Sequence, residues 1–137
     1  MEKLYTSYFL AHINGQLSTI QTLESDENFD PFWIWPITNE YDNAFEFIIS
    51  SYIRYYRRNF SNVAVFYRDT LCRLLQTYKH TICTGDIKSF LCLKYWEGVM
   101  HTSISVLDIV SYTGDVFLFE QLLSIFGESL KNLIASQ

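Results

Sequence analysis

The feature that most constrains this chain is the stretch over residues 59–79. Phe60, Val63, Tyr67, Leu71, Leu74, Leu75 and Tyr78 recur there at the three- and four-residue spacing of a helix. Ala64, Val65 and Phe66 widen the apolar surface near its start. A helix apolar on so many sides belongs inside a bundle rather than on its surface. Asn59 and Ser61 are suited to cap it, because a short side chain accepts from the free N–H groups of the first turn. The spacing therefore predicts a buried central helix over 59–79 with other helices laid around it.

The flanking sequence supplies those helices. Leu4, Tyr5, Tyr8, Phe9, His12 and Ile13 mark an amphipathic helix over 2–14 that ends at Asn14-Gly15. Ser18 and Thr19 can cap a short second helix through Ile20 and Leu23. Residues 24–31 are polar and acidic. Pro-Phe-Trp-Ile-Trp-Pro follows over 31–36, and its two prolines disfavour a long regular element. Its aromatics must pack on something, as a lid over the bundle or as a surface for a ligand or a second copy. Phe45, Ile48, Ile49, Tyr52, Ile53 and Tyr56 predict a helix over 39–58.

Beyond residue 80, Thr84-Gly85-Asp86 reads as a turn. A further helix is expected over 86–104 with Ile87, Phe90, Leu91, Trp96 and Val99, bent at Gly98. A short helix is expected over 105–112, then a turn with Asp115 as cap. One last helix carries Phe119, Leu122, Leu123, Phe126, Leu130, Leu133 and Ile134. No strand pattern or repeat stands out. The expected fold is all-α, a single domain over 1–137 with six to eight helices around one core.

With 137 residues the chain can bury a core without metals or disulfides. Its net charge of −5 argues against nucleic acid, whose protein partners are basic. The one basic cluster, Arg54, Arg57 and Arg58, reads as the solvated end of a helix. Cys72, Cys83 and Cys92 are odd in number and unpaired in spacing, which suggests reduced thiols. No secretory leader or membrane-length apolar run is evident, so a soluble intracellular protein is expected.

Catalytic patterns are poor. His12, His80 and His101 fall on different expected helices. Cys72, His80 and Cys83 match no zinc spacing and lack a fourth ligand. No glycine-rich phosphate loop follows a strand. The residues thus point to a protein that is not an enzyme and uses no metal or cofactor. An aromatic-rich bundle of this kind can accept an amphipathic helix from a partner.

At this point the order of motifs resembles the Bcl-2 family. Asn-Phe-Ser-Asn-Val-Ala-Val-Phe-Tyr over 59–67 resembles BH1, and Leu4 to Ile13 resembles BH4. Thr-Gly-Asp-Val-Phe-Leu-Phe over 113–119 is similar to BH2, residues 20–29 with Asp26 faintly to BH3, and Trp96 has a counterpart in the sixth family helix. A second register also exists, with residues 48–55 as BH4 and Tyr95-Trp-Glu-Gly98 as BH1.

The first register is most similar to the compact, anchorless viral homologues, of the iridovirus type. It implies a Bcl-2-like bundle around the 59–79 helix and an inhibitor of apoptosis that sequesters BH3 helices of host pro-apoptotic proteins, Bim-like ones among them. The implied groove is lined by Ile49, Tyr52, Ile53, Asn59, Phe60, Ser61, Asn62, Val63, Ala64 and Val65. A homodimer is compatible with it; nucleic acid and a direct membrane anchor are not expected. The implied location is the host cytoplasm, reaching mitochondria through partners.

Two departures matter. Asn62 stands where the family has the arginine that pairs with the BH3 aspartate, and Ser61 where it has glycine. A charge-assisted hydrogen bond is worth roughly 1.5–3 kcal/mol, so its loss would narrow the ligand range unless Arg57 or Arg58 substitutes. Tyr52, Tyr55, Tyr56 and Phe60 could also plug the groove. The alternative readings are therefore a Bcl-2-like immunomodulator that binds host signalling adaptors through other faces, and an unrelated small helical protein.

Overall fold

The helix that occupies the middle of the molecule is the one before the expected centre. Residues 44–53 are buried without a break. In this stretch Ile48, Ile49 and Tyr52 have no exposed surface, and Ser50 and Ser51 are small enough to let neighbours approach closely. The computed structural model describes residues 2–38, 40–57, 61–80, 92–96, 99–103 and 106–135. Its described residues form seven helices and one two-stranded ribbon. The chain is all-α in its body, and the ribbon is the departure from that class.

The central helix, α3 (Ala44–Arg57), follows α1 (Glu2–Ile13) and α2 (Leu17–Glu24) and precedes α4 (Ser61–Thr77). Its start is set by Asn43, whose Oδ1 accepts from the Glu46 N–H at 2.9 Å. Glu46 in turn accepts from the Asp42 N–H at 3.2 Å, so a buried carboxylate satisfies the entry to the helix. The expected start near residue 39 is thus several residues early.

The 59–79 stretch is corrected in its role. From Ser61 to Thr77 it is a helix, but an amphipathic one. Ala64, Tyr67, Leu71, Leu74 and Leu75 face the core, while Val63 and Val65 are about 40% exposed. Asp69, Gln76 and Thr77 also lie on the solvent side. The polar residues of α4 need water or a charged partner on one face, whereas residues 44–53 contain a single charged side chain. Asn59 and Phe60, offered as cap and groove residues, lie outside the described residues.

Helix α1 ends where Asn14-Gly15 predicts. Gly15 has φ +65°. The Gln16 N–H donates to the Ala11 carbonyl and the Gly15 N–H to the His12 carbonyl, the paired bonds of a Schellman turn. Helix α2 starts at Leu17 with Gln16 as cap and no side-chain capping bond. Ser18 and Thr19 therefore sit inside its first turn rather than ahead of it.

The aromatic segment over 31–36 does form a lid. Trp33 stacks on Tyr5 with ring centres 4.5 Å apart. Trp35, buried, meets Phe9 edge-on at 5.7 Å and Phe47 at 5.7 Å. Phe32 tilts against Phe45 at 5.0 Å. Ile34 alone of the four central residues is left largely exposed.

The helix expected over 86–104 is replaced from Cys92 onward by an antiparallel hairpin. Strand β1 (Cys92–Trp96) pairs with β2 (Val99–Ser103), Trp96 opposite Val99 and Cys92 opposite Ser103. Two residues separate the strands, and Gly98 is one of them. Tyr, Trp, Val and Thr favour an extended backbone, which competes with the helical reading of these short runs; the bend expected at Gly98 lies outside the described residues. Ile87, Phe90, Leu91 and the 84–86 turn lie outside the described residues. The hairpin also removes the second register of the resemblance, because Tyr95 and Trp96 end a strand.

The C-terminal third consists of α5 (Val106–Thr113), α6 (Val116–Phe126) and α7 (Glu128–Ala135). Asp115 caps α6 as expected, accepting from the Leu118 N–H at 3.1 Å. The single last helix of the sequence reading is divided by Gly127, at φ +53°, whose N–H donates to the Leu123 carbonyl. That left-handed conformation is cheap for glycine alone, and it turns the chain so that both Phe126 and Leu130 reach the core.

Candidate functional site

Three helices and a loop leave an open slot of about 540 Å³. Phe9, His12 and Ile13 come from α1, and Phe47, Ser51, Arg54 and Tyr55 from α3. Asn62, Val63, Phe66 and Tyr67 come from α4, with Glu40 and Tyr41 at the rim. The volume is in the range of sites that hold a small molecule or a partner's side chains.

The positions follow from helix geometry. Phe9, His12 and Ile13 lie three and four residues apart and so share a face of α1. Phe47, Ser51 and Arg54 do the same on α3, and Asn62, Val63, Phe66 and Tyr67 on α4. The interior wall is aromatic. Tyr67 lies parallel to Tyr55 at 5.8 Å and parallel to His12 at 5.7 Å. Phe47 and Phe66 meet His12 edge-on at 5.6 and 5.7 Å. Burial pushes the Tyr67 phenol up to about 12, with Tyr55 adding to the shift and a Ser51 hydrogen bond opposing it.

His12 is the unusual member. It is 3% exposed, and neither ring nitrogen has a hydrogen-bonding partner among the described residues. Burial drives its pKa down to about 3, helped by the charge of Arg73, so the imidazole is neutral at physiological pH. Arg54, also lining the slot, is exposed to solvent and makes a long hydrogen bond of 3.4 Å to the Tyr41 hydroxyl.

The groove expected from the resemblance is not assembled as a surface. Ile49, Tyr52 and Ile53 are sealed in the core, as is Ala64, because α3 is central and turns that face inward. Asn62 and Val63 are the two expected groove residues that line the observed slot. Val65 is exposed but outside it, Ser61 begins α4, and Asn59 and Phe60 are not described. Of the aromatics considered as plugs, Tyr52 is buried, Tyr55 lines the slot, and Tyr56 tilts against Tyr52 at 5.7 Å.

Two polar networks lie away from the slot. The Tyr52 hydroxyl donates to Asp115 Oδ2 at 2.9 Å, and the Arg68 guanidinium donates to both Asp115 oxygens at 3.3 and 3.4 Å. Arg68 also covers the Phe117 ring at 4.1 Å. In the second network Arg73 Nε donates to Glu24 Oε1 at 2.8 Å and the Tyr8 hydroxyl to Glu24 Oε2 at 2.8 Å. Each joins three helices with its carboxylate fully used, which is the work of a tie rather than of a reactive site.

Among the described residues no three His, Cys, Asp or Glu side chains gather as metal ligands. Cys83 of the zinc set weighed above is outside them. Burial raises the Cys72 thiol to about 11, so it is not a thiolate at neutral pH. No described helix is long and apolar enough to cross a membrane.

No protein-family model matches the chain, and neither a curated protein nor a solved structure matches it.

Proposed function

We propose that the protein captures an amphipathic helix of the BH3 kind from a host pro-death protein, using the slot between α1 and the α3–α4 pair. The observation that carries this reading is the start of α4. Asn62 and Val63, which the resemblance to the Bcl-2 family assigns to a helix-binding groove, form one wall of an open aromatic slot. Apolar side chains of the visiting helix would bury against Phe9, Val63 and Phe66. Its acidic residue would meet Arg54, the cation at the rim in place of the arginine that Asn62 replaces.

The test is calorimetry of the purified protein with a panel of BH3 peptides. Binding at micromolar Kd or tighter, about −8 kcal/mol, supports the reading. It should weaken at least tenfold in Arg54→Ala or Val63→Asp. No heat with any peptide at that concentration ends it.

A second reading has its own observation. Tyr52, Ile49 and Ile53 fill the place where the resemblance puts the groove. A bundle closed there would act on host signalling adaptors through other faces. Adaptor capture by the protein, undiminished by Val63→Asp, would favour this second reading.

A further inference from the structure

We propose that the outer face shared by α4 and α6 docks a basic amphipathic helix, apolar along one side and flanked by lysine or arginine. The proposal concerns a face other than the slot and stands whether or not the slot captures a helix.

The face is built from two helical spacings. On α4, Val65 and Asp69 are four residues apart and so lie one above the other. On α6, Val116 and Glu120 stand in the same relation, with Phe117 beside them. All five are exposed, Val116 at 67%. The three apolar ones stand outside the core and its packed margin. Arg68 joins the two helices here. Its guanidinium lies over the Phe117 ring and donates to Asp115, the cap of α6. Val65 and Asp69 are within one turn of Arg68, so this contact sets them beside the first turn of α6. Singly exposed apolar residues are ordinary on a protein surface. Three gathered where two helices meet form a patch.

Charge decides what can cover the patch. The Asp69 side chain is 55% exposed, and Glu120 is exposed too. The cation between them, Arg68, is mostly covered and already shared between Asp115 and Asp69. The face therefore offers negative charge around an apolar centre. A second copy of the chain in a two-fold contact would set these acids against their own counterparts. An anionic membrane or a nucleic acid would be repelled by the same charges. A segment with lysine or arginine beside an apolar stripe answers both features, and a helix packs readily across a pair of helices. The acids also turn away the acidic helix assigned to the slot, so the two surfaces select partners of opposite sign.

The experiment follows the whole ¹⁵N-labelled chain by NMR during titration with two designed helical peptides about four turns long. One carries a leucine stripe flanked by lysine. Its twin has glutamate in place of every lysine. The lysine peptide is expected to bind at micromolar Kd and to shift the amide resonances of residues 65–69 and 116–120. The glutamate peptide should bind at least tenfold more weakly. Raising the ionic strength to about 1 M, where the Debye length is about 3 Å, should erode that preference. Glu120→Lys should weaken the lysine peptide at least tenfold by reversing the charge, and Val116→Ser should weaken it through the apolar centre. Both positions are exposed, and the amide spectrum reports the fold of each variant; one folded variant is enough for the test. No binding of the lysine peptide, equal binding of the two peptides, full binding to the folded variant, or shifts confined to the slot would overturn the assignment. So would concentration-dependent shifts at 116–120 in the free protein, which would give the face to a second copy. Broadening of those resonances by phosphatidylserine vesicles would give it to a membrane and overturn the assignment equally.

Discussion

The α3–α4 pair has two faces, and they are finished differently. On one, Tyr52 of α3 and Arg68 of α4 converge on Asp115, whose Oδ1 also caps α6. Three groups donate to the Asp115 carboxylate there, while Arg68 Nε is left without a hydrogen bond among the described residues. On the other, Ser51 and Tyr55 of α3 and Tyr67 of α4 border a slot in which His12 has no partner among the described residues. The residues concerned are neighbours in sequence, 51 with 52 and 67 with 68. A helix pair thus separates holding from binding by a single step around its axis. A carboxylate with both oxygens accepting ties one face together, and an imidazole without a hydrogen bond among the described residues lies on the other.

The sharpest way to break the contrast is to unfinish the finished face. Asp115→Ala removes the cap of α6, the acceptor of Tyr52 and the carboxylate partner of Arg68 at once. Removing one side of a buried ion pair typically costs about 3–5 kcal/mol. Chemical denaturation should show a loss of that order. A loss below about 1 kcal/mol would mean that the network is incidental and that the two faces do not differ as argued.

The next largest effect tests the unfinished face through pH. His12 has a pKa near 3 in the folded chain and an ordinary value of 6.5 when unfolded. Between those values the unfolded chain takes up a proton that the native one refuses. Stability is therefore lost as pH falls from 6.5 towards 3, at up to about 1.4 kcal/mol per pH unit. At pH 4.5 this amounts to about 2–3 kcal/mol, added to whatever the carboxylates contribute. His12→Phe should flatten that part of the profile. An identical acid profile in the variant would show that the imidazole is hydrated or partnered, and the contrast between faces would fail.

A smaller effect is expected where Glu24 joins Arg73 of α4 to Tyr8 of α1. This tie is less enclosed, since the Arg73 side chain is 29% exposed. Glu24→Gln keeps the shape and removes the charge, and should cost about 1–2 kcal/mol. A loss as large as that of Asp115→Ala would mean that enclosure is not what sets the strength of these ties.

How much of this was legible follows from how local each signal is. Asn14-Gly15 and Asp115 announce a helix end and a helix start, because capping depends on a few adjacent residues. The all-α character follows from the spacing of Tyr5, Tyr8 and His12 and of Phe45, Ile48, Ile49, Tyr52 and Ile53. Which helix is central does not follow from spacing. Residues 59–79 and 44–57 are both rich in apolar groups. The difference is that Arg68, Asp69 and Arg73 need an outer face, while α3 has serines that permit close packing. The strand pair Cys92–Trp96 and Val99–Ser103 is hidden because short apolar runs fit either period. The slot was hidden for a further reason. His12, Tyr55 and Tyr67 come together only after three helices have packed, and a lone histidine on an apolar stripe carries no mark of lacking a partner. Asn62 and Val63 are expected at a groove from the resemblance alone, and neither carries a chemical mark of the slot.

The smallest expected effect on stability is the most informative about the slot. Val63 is 40% exposed at its edge and belongs to no polar network described above. Val63→Asp therefore exchanges one solvated side chain for another near the start of α4, where the helix dipole tolerates a negative charge. The change in unfolding free energy should be within about 0.5 kcal/mol. The same carboxylate stands one turn from Phe66 on the α4 wall of the slot and opposes any apolar group entering it. It would also repel the acidic residue assigned to Arg54. Peptide binding should fall at least tenfold while stability stays level, the signature of a surface kept for a partner. If the variant is destabilised by 2 kcal/mol or more, the edge of the slot belongs to the closed core, and the two faces of the helix pair are alike after all.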